Sequence, residues 1–101
     1  MAGVSDTRAV WQVYIILGDD GRLYTGITTD IERRWREHTQ GPKGARYFRG
    51  RRPERLCYLE AHPDRSSASR REYAIKQLNR REKEQLIASA PAPHTPGEVL
   101  P

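Results

Sequence analysis

The sequence has little from which to build a covalent or metal-bound scaffold, and it has no long apolar run. The lone Cys57 cannot form an internal disulfide or the usual four-ligand zinc site. The longest apolar run, Val13 to Leu17, is far shorter than the roughly 20 residues that span a bilayer. The N-terminus also lacks the basic patch and apolar stretch of an export signal. We therefore expect a protein of the reducing cytoplasm with no membrane segment.

Positive charge is concentrated in the middle third of the chain. Residues 33 to 55 hold nine Lys and Arg against two acids, although the net charge of the whole chain is +5. Eight of the nine are Arg, whose planar guanidinium suits bidentate contact with phosphate. A solvated surface that keeps the protein soluble is the alternative explanation, but the placement favours a polyanionic partner.

The two ends of the chain have the composition of disordered tails. Residues 1–9 are small and polar, and residues 89–101 carry four prolines, so neither end is expected to pack. We place one folded domain at residues 10–88. A domain of this size builds one modest core and leaves little room for a large cavity.

Within that domain, β-forming stretches and helical patterns predict an α+β fold. The predicted elements are strands at 11–17 and 22–27, a helix at about 30–40, a strand at 55–60, and a long helix that opens at Ser66 or Ser67. Asp19-Asp20-Gly21 separates the first two strands as a hairpin turn, and Thr29 or Asp30 can cap the first helix. We expect an interruption of the last helix near Asn79. The order ββαβα predicts a small three-stranded antiparallel sheet with helices packed on it.

Five side chains along these elements suit hydrolysis of a phosphodiester. Tyr14 and Tyr24 fall on the paired strands, while Arg34 and His38 are four residues apart and share one helix face. Glu72, on the last helix, could bind a hard divalent cation. With one evident carboxylate, a single ion would keep several waters and take further oxygens from the substrate. Together these groups meet the needs of the reaction, which are an activated water and stabilised phosphoryl charge.

The order of these residues resembles the GIY-YIG nuclease superfamily. Val13-Tyr14-Ile15 stands at the first motif, Tyr24-Thr25-Gly26 at the second, and residues 28–38 at the helix that follows. The similarity covers about residues 11–87 and is closest to the small stand-alone bacterial members. Gln12-Val13 stands where the family usually has Gly-Ile, and Thr25 replaces an isoleucine, but both tyrosines and Gly26 are kept.

The resemblance implies an endonuclease that works with one Mg²⁺ or Mn²⁺ ion, in a superfamily known for excision repair, restriction, intron homing and branched DNA. Its implied catalytic residues are Tyr14, Tyr24, Arg34, His38 and Glu72. Tyr14 would activate or position the attacking water, and Tyr24 would contact the phosphate or the water network around the metal. Arg34 would bind phosphoryl oxygens, and Glu72 would bind the ion. His38 would orient a tyrosine or accept a proton.

Two of these assignments have simple competitors. Arg33 is the alternative to Arg34, since both belong to one charged run. Glu72 has Lys76 four residues later, and an ion pair along the helix would explain the carboxylate without any metal. A lone histidine or strand tyrosine is also more often structural than catalytic.

The stretch 41–53 mixes glycine and proline with basic residues and is predicted to be a basic loop. Its predicted nucleic-acid-binding residues are Lys43, Arg46, Arg49, Arg51 and Arg52. Tyr47 and Phe48 lie among them as stacking surfaces. A solubilising loop is the alternative.

The preferred hypothesis is a divalent-metal-dependent DNA endonuclease of low sequence selectivity, structure-selective and linked to DNA repair. Low selectivity is expected because phosphate contacts set affinity without reading bases. The alternative is a nucleic-acid-binding module or partner subunit with negligible turnover. RNA stays open as a substrate, and the oligomeric state stays open as well, including a dimer that cuts both strands.

Overall fold

The computed structural model describes residues 10–40 and 52–96. Within these residues the elements follow one another as β1 (Trp11–Gly18), β2 (Leu23–Thr28), α1 (Ile31–Gln40), β3 (Pro53–His62), α2 (Arg65–Lys76) and α3 (Arg80–Ala88). The three strands form one antiparallel sheet, which confirms the predicted α+β class. No helix of the described part is long and apolar enough to cross a membrane.

Strand β1 lies in the centre of the sheet, and the strand order is β2-β1-β3. Tyr14 of β1 is opposite Gly26 of β2, and Ile15 of β1 is opposite Tyr58 of β3. Because successive residues of a strand point to opposite faces, β1 contributes to two separate cores.

The sheet separates α1 from α2 and α3. On one side, which we call the α1 face, Tyr14 and Ile16 pack with Trp35 of α1. On the other side, the α2 face, the alternate residues of β1 pack against α2 and α3. The buried residues of this second core are Val13, Ile15, Tyr58, Ala68 and Ile75, and Leu86 and Ile87 of α3 are among the partly buried residues that pack against them. Burial of both apolar surfaces is the main stabilisation available to so small a domain.

Each helix begins beside a residue that caps it. Asp30 accepts a hydrogen bond from the backbone N of Arg33 at 3.0 Å, so the prediction of an Asp30 cap on α1 is confirmed. Helix α2 starts earlier than expected, because Asp64 and not a serine accepts from the backbone N of Ser67 at 2.8 Å. Asn79 starts α3 through a capping box, and the expected interruption of the long helix is confirmed.

Part of the predicted C-terminal tail contacts the domain. Thr95 is buried, and its Oγ1 accepts a hydrogen bond from the backbone N of Leu56 at 3.1 Å. This contact covers one backbone donor of β3, which is an edge strand of the sheet. Residues 1–9 and 97–101 lie outside the described residues, and the domain limits at 10 and 88 stay predictions.

Candidate active site

Tyr14 forms the floor of the candidate site on the α1 face, where it is only 1% exposed. Its ring lies over Gly26, its partner on β2. A Cβ atom at position 26 would lie 2.5 Å from Cζ of Tyr14 and closer still to its hydroxyl oxygen. A side chain does not fit there, and this close approach accounts for the glycine of the second motif.

Helix α1 places His38 against that phenol. The distance from Nε2 of His38 to the hydroxyl oxygen of Tyr14 is 3.5 Å, and the rings meet edge to face with their centroids 6.3 Å apart. Burial, and then the positive charge of Arg34, lower the pKa of His38 to about 4, against the opposing charge of Glu37. The imidazole is therefore neutral at pH 7, and its Nε2 can accept a hydrogen bond from Tyr14.

The structure distinguishes Arg34 from its neighbour Arg33. Both guanidinium groups approach Glu37, at 3.3 Å from Arg34 and 3.9 Å from Arg33. The side chain of Arg34 is 36% exposed and that of Arg33 is 55% exposed. The Nε of Arg34 is buried with no hydrogen-bond partner in the described part of the chain. A buried donor of this kind calls for an acceptor, and a phosphoryl oxygen would supply one.

Tyr24 lies on the same face as Tyr14, opposite Ile16 of β1. Its hydroxyl donates to Oδ2 of Asp20 at 2.5 Å, and the backbone N of Arg22 donates to the other oxygen of Asp20 at 3.1 Å. This contact holds the phenol of Tyr24 with its proton toward Asp20.

Asp20 contacts the candidate residue Tyr24, but sequence reasoning assigns it only to the turn. The turn is tight because Gly21 adopts a φ of +82°, which glycine tolerates and other residues rarely do. One sequence signal could have indicated this contact. Asp20 and Tyr24 are four residues apart across a tight turn, and such a turn brings residues on its two sides close together.

Glu72 belongs to α2, which packs on the opposite face of the sheet from α1. Oε2 of Glu72 is 3.1 Å from Nζ of Lys76, so the ion pair expected as the simple alternative is present. Helix α2 contacts β2 as well as β1, and β2 is an edge of the sheet. A side chain of α2 can therefore approach the tyrosine face around the β2 edge. The structure thus brings Tyr14, Tyr24, Arg34 and His38 to one face, while the meeting of Glu72 with them stays a prediction.

The predicted nucleic-acid loop falls mostly outside the described residues, which exclude Lys43, Arg46, Arg49 and Arg51. Arg52 is exposed, and its carbonyl oxygen accepts a hydrogen bond from the backbone N of Asp19 at 2.8 Å. The end of the loop is thereby tied to the β1–β2 turn. The role of all five residues stays a prediction.

The donor set fits only a sparsely ligated cation. Within residues 10–40 and 52–96, no three His, Cys, Asp or Glu side chains form a group that could hold a metal ion. Glu72 would be the one protein carboxylate, and its side chain is 22% exposed, so water can reach it and compete with Lys76. Such a site suits Mg²⁺ or Mn²⁺, which can keep several waters and take oxygens from a phosphate.

Replacing His38 with glutamine should reduce the loss of folding stability that the protein shows as the pH falls from 7 to 4. The unfolded chain binds a proton on His38 near pH 6.5, whereas the folded chain binds it only near pH 4, so the folded state loses stability as the pH falls between these values. We expect the wild type to lose about 3 kcal/mol more than His38→Gln between pH 7 and pH 4. Urea unfolding at a series of pH values measures this difference, and parallel profiles would contradict the burial of a neutral imidazole.

Comparison with known proteins identifies the family to which the chain belongs. A family model described as the GIY-YIG catalytic domain matches residues 10–85, nearly the whole described chain. The chain belongs to the GIY-YIG family, as the two tyrosine motifs predicted. This family lies in a nuclease superfamily, and a nucleic acid is the substrate that the domain implies.

Closer relatives are small bacterial proteins named UPF0213, as the resemblance predicted. The UPF0213 protein DP2720 of Desulfotalea psychrophila is 55% identical over 82% of this chain and 76% of its own length. The UPF0213 protein YhbQ of Escherichia coli is 49% identical over 77% of each chain. The solution NMR structure of the UPF0213 protein BH0048 from Bacillus halodurans has a TM-score of 0.52 at 48% identity, covering 79% of this chain and 84% of that one.

Proposed function

We propose that this chain is a divalent-metal-dependent endonuclease that hydrolyses DNA phosphodiester bonds with low sequence selectivity, in DNA repair or another process that requires recognition of strand structure. The observation that carries the proposal is the set gathered on the α1 face. There the buried phenol of Tyr14 lies against the neutral His38, and the Nε of Arg34, which has no hydrogen-bond partner among residues 10–40 and 52–96, belongs to the same helix. Membership of the nuclease superfamily supports the reaction class.

In this proposal Arg34 is the main anchor for the scissile phosphate. Its guanidinium would donate to phosphoryl oxygens on which negative charge develops in the transition state. A donor already held in a partly buried place needs little rearrangement when the charge appears. Arg33 is more exposed and is assigned to the solvated face of the helix.

His38 orients Tyr14 and does not hold its proton. A free phenol has a pKa near 10, whereas the pKa of His38 is about 4, so the imidazole is far too weak a base to take that proton. The neutral Nε2 of His38 instead accepts a hydrogen bond from the hydroxyl of Tyr14. Held in this way, the phenol of Tyr14 would position the attacking water from the floor of the site.

Tyr24 and Glu72 complete the proposed site from the β2 edge. Asp20 fixes the phenol of Tyr24, which would contact the phosphate or the water network around the metal. Glu72 would hold one Mg²⁺ or Mn²⁺ ion after release of Lys76. When bound, such an ion neutralises phosphoryl charge and assists the departing oxygen.

One observation favours the second candidate, a nucleic-acid-binding module with negligible turnover. Glu72 already has an ion-pair partner at 3.1 Å, and the helix that carries it packs on the face away from Tyr14. A module would bind DNA or RNA through phosphate contacts, with strong salt dependence and no need of the carboxylate.

A cleavage panel with a matched carboxylate control tests the proposal. Purified protein is incubated with labelled duplex, single-stranded and branched DNA, and with RNA of the same sequences, in Mg²⁺, Mn²⁺ or EDTA. We expect DNA cleavage only with the metal, lost in Glu72→Gln and kept in Glu84→Gln. Glu84 is the matched control because its carboxylate also pairs with a cation four residues away, Arg80, at 2.8 Å. Binding without cleavage of any substrate, unchanged in Glu72→Gln, would instead establish the binding module.

A further inference from the structure

A polar cluster joins β3 to α2 on the α2 face of the sheet. Both oxygens of Glu60 are engaged: Tyr58 donates to Oε2 at 2.7 Å, and Nε2 of His62 lies 2.7 Å from Oε1. Nε of Arg71, from α2, reaches the same carboxylate at 3.0 and 3.3 Å. His62 also hydrogen bonds to Ser67 of α2 through Nδ1. Strand and helix are thus tied at two places along their length.

Stability alone is a weak explanation for this cluster. It lies beside the apolar core formed by Val13, Ile15 and Ile75, where partly desolvated charges cost free energy that their attraction only partly returns. What a guanidinium–carboxylate contact supplies reliably is a defined geometry, because the planar fork of arginine constrains both partners. The geometry that Arg71 can fix is the rotation of α2 about its own axis.

That rotation decides where Glu72 points. Successive residues of an α-helix are rotated by about 100°, so Arg71 and Glu72 lie about 50° to either side of the line through residues 68 and 75. Ala68 and Ile75 are fully buried against the sheet. Arg71 reaches toward β3 on one flank, and the strand order is β2-β1-β3. Glu72 therefore occupies the flank toward β2, the strand that carries Tyr24.

We propose that Glu60 and Arg71 are positioning residues that fix the rotation of α2, so that the carboxylate of Glu72 is presented at the β2 edge. This inference rests on the proposed function, since it gives the pair a purpose only if Glu72 binds a cation there. Neither residue touches the substrate, and each acts through the helix. A rotation by one residue, about 100°, would take Glu72 away from that edge.

Binding of Mn²⁺ without DNA tests the inference directly. The protein is titrated with Mn²⁺, and the unbound ion is followed by its electron paramagnetic resonance signal. We expect Glu60→Gln and Arg71→Lys each to raise the Kd about tenfold, the lower end of the usual effect of residues that orient metal ligands. Tyr58→Phe is the matched control, because it removes the hydroxyl that contacts Glu60 and Arg71 and leaves the contact between Glu60 and Arg71 in place. It should keep the wild-type Kd.

The thermal midpoint of each variant separates positioning from support of the fold. A purely structural cluster predicts lower midpoints with an unchanged Mn²⁺ Kd, and that result in folded Glu60→Gln and Arg71→Lys would overturn the inference. If Glu60→Gln does not fold, Arg71→Lys, which keeps the charge, decides alone. Failure of the wild type to bind Mn²⁺ through Glu72, shown by an unchanged Kd in Glu72→Gln, would defeat the metal site of the proposed function as well.

Discussion

Replacing Arg34 with alanine is expected to lower DNA cleavage at saturating metal by about 10²- to 10³-fold, the usual effect of removing one preorganised donor from developing negative charge. The expectation follows from its buried Nε, which has no partner among the described residues. DNA affinity should fall much less, because other cations contribute to binding. Single-turnover cleavage and a binding titration at one salt concentration measure the two effects.

Arg33→Ala is the matched control for this prediction. Arg33 is the adjacent residue, carries the same charge and approaches the same carboxylate of Glu37, so both variants release the same partner. We expect cleavage by Arg33→Ala to remain within a few-fold of the wild type. Equal losses in the two variants would mean that only the net charge of α1 matters, and the assignment of Arg34 to the phosphate would fail.

Replacing Gly26 with alanine is expected to destabilise the protein by about 1–3 kcal/mol, the usual cost of overpacking a well-filled core. The new Cβ would meet the ring of Tyr14 at 2.5 Å from Cζ, so either the phenol or strand β2 must shift. A displaced Tyr14 loses its contact with Nε2 of His38, and cleavage should fall with stability. Urea unfolding and the cleavage assay measure both effects.

Two further variants show whether the clash is the cause. In a Tyr14→Ala background, Gly26→Ala should cost far less, and a double-mutant cycle then gives a coupling of about 1 kcal/mol or more. Gly21→Ala lies in the same hairpin but has no neighbour within 4 Å, and its cost comes from a φ of +82°. That cost should be the same with and without Tyr14. If Gly26→Ala destabilises the protein equally with Tyr14 and with alanine at position 14, the clash between the new Cβ and the Tyr14 ring is not the cause.

The sequence was sufficient for the order and type of the elements. Alternation of β-forming residues around Asp19-Asp20-Gly21 predicted the hairpin, and the pairing confirms it. The Asp30 cap and the interruption near Asn79 were also predictable, because both depend on side chains next to the helix ends in sequence. The sequence placed a tyrosine within the reach of His38 without saying which one, and the structure shows Tyr14 at 3.5 Å from its Nε2.

Contacts between distant segments were not predictable from sequence. Strand β3 runs from Pro53 to His62, longer than expected, because its ends pair with β1 and do not depend on their own β propensity. The contact of Glu60 with Arg71 joins residues eleven apart on a strand and a helix, and it forms only once α2 packs on the sheet, so no local sequence signal reveals it. Asp20 was missed because a turn aspartate has a sufficient local explanation.

The most direct test of the account is a crystal of the protein grown with Mn²⁺ and a short DNA oligonucleotide, examined by anomalous scattering from manganese. We expect one peak about 2.1 Å from an oxygen of the Glu72 carboxylate, and a DNA phosphate shared between that ion and the guanidinium of Arg34. Manganese bound away from Glu72, or a phosphate held on the α2 face away from Tyr14, would contradict it.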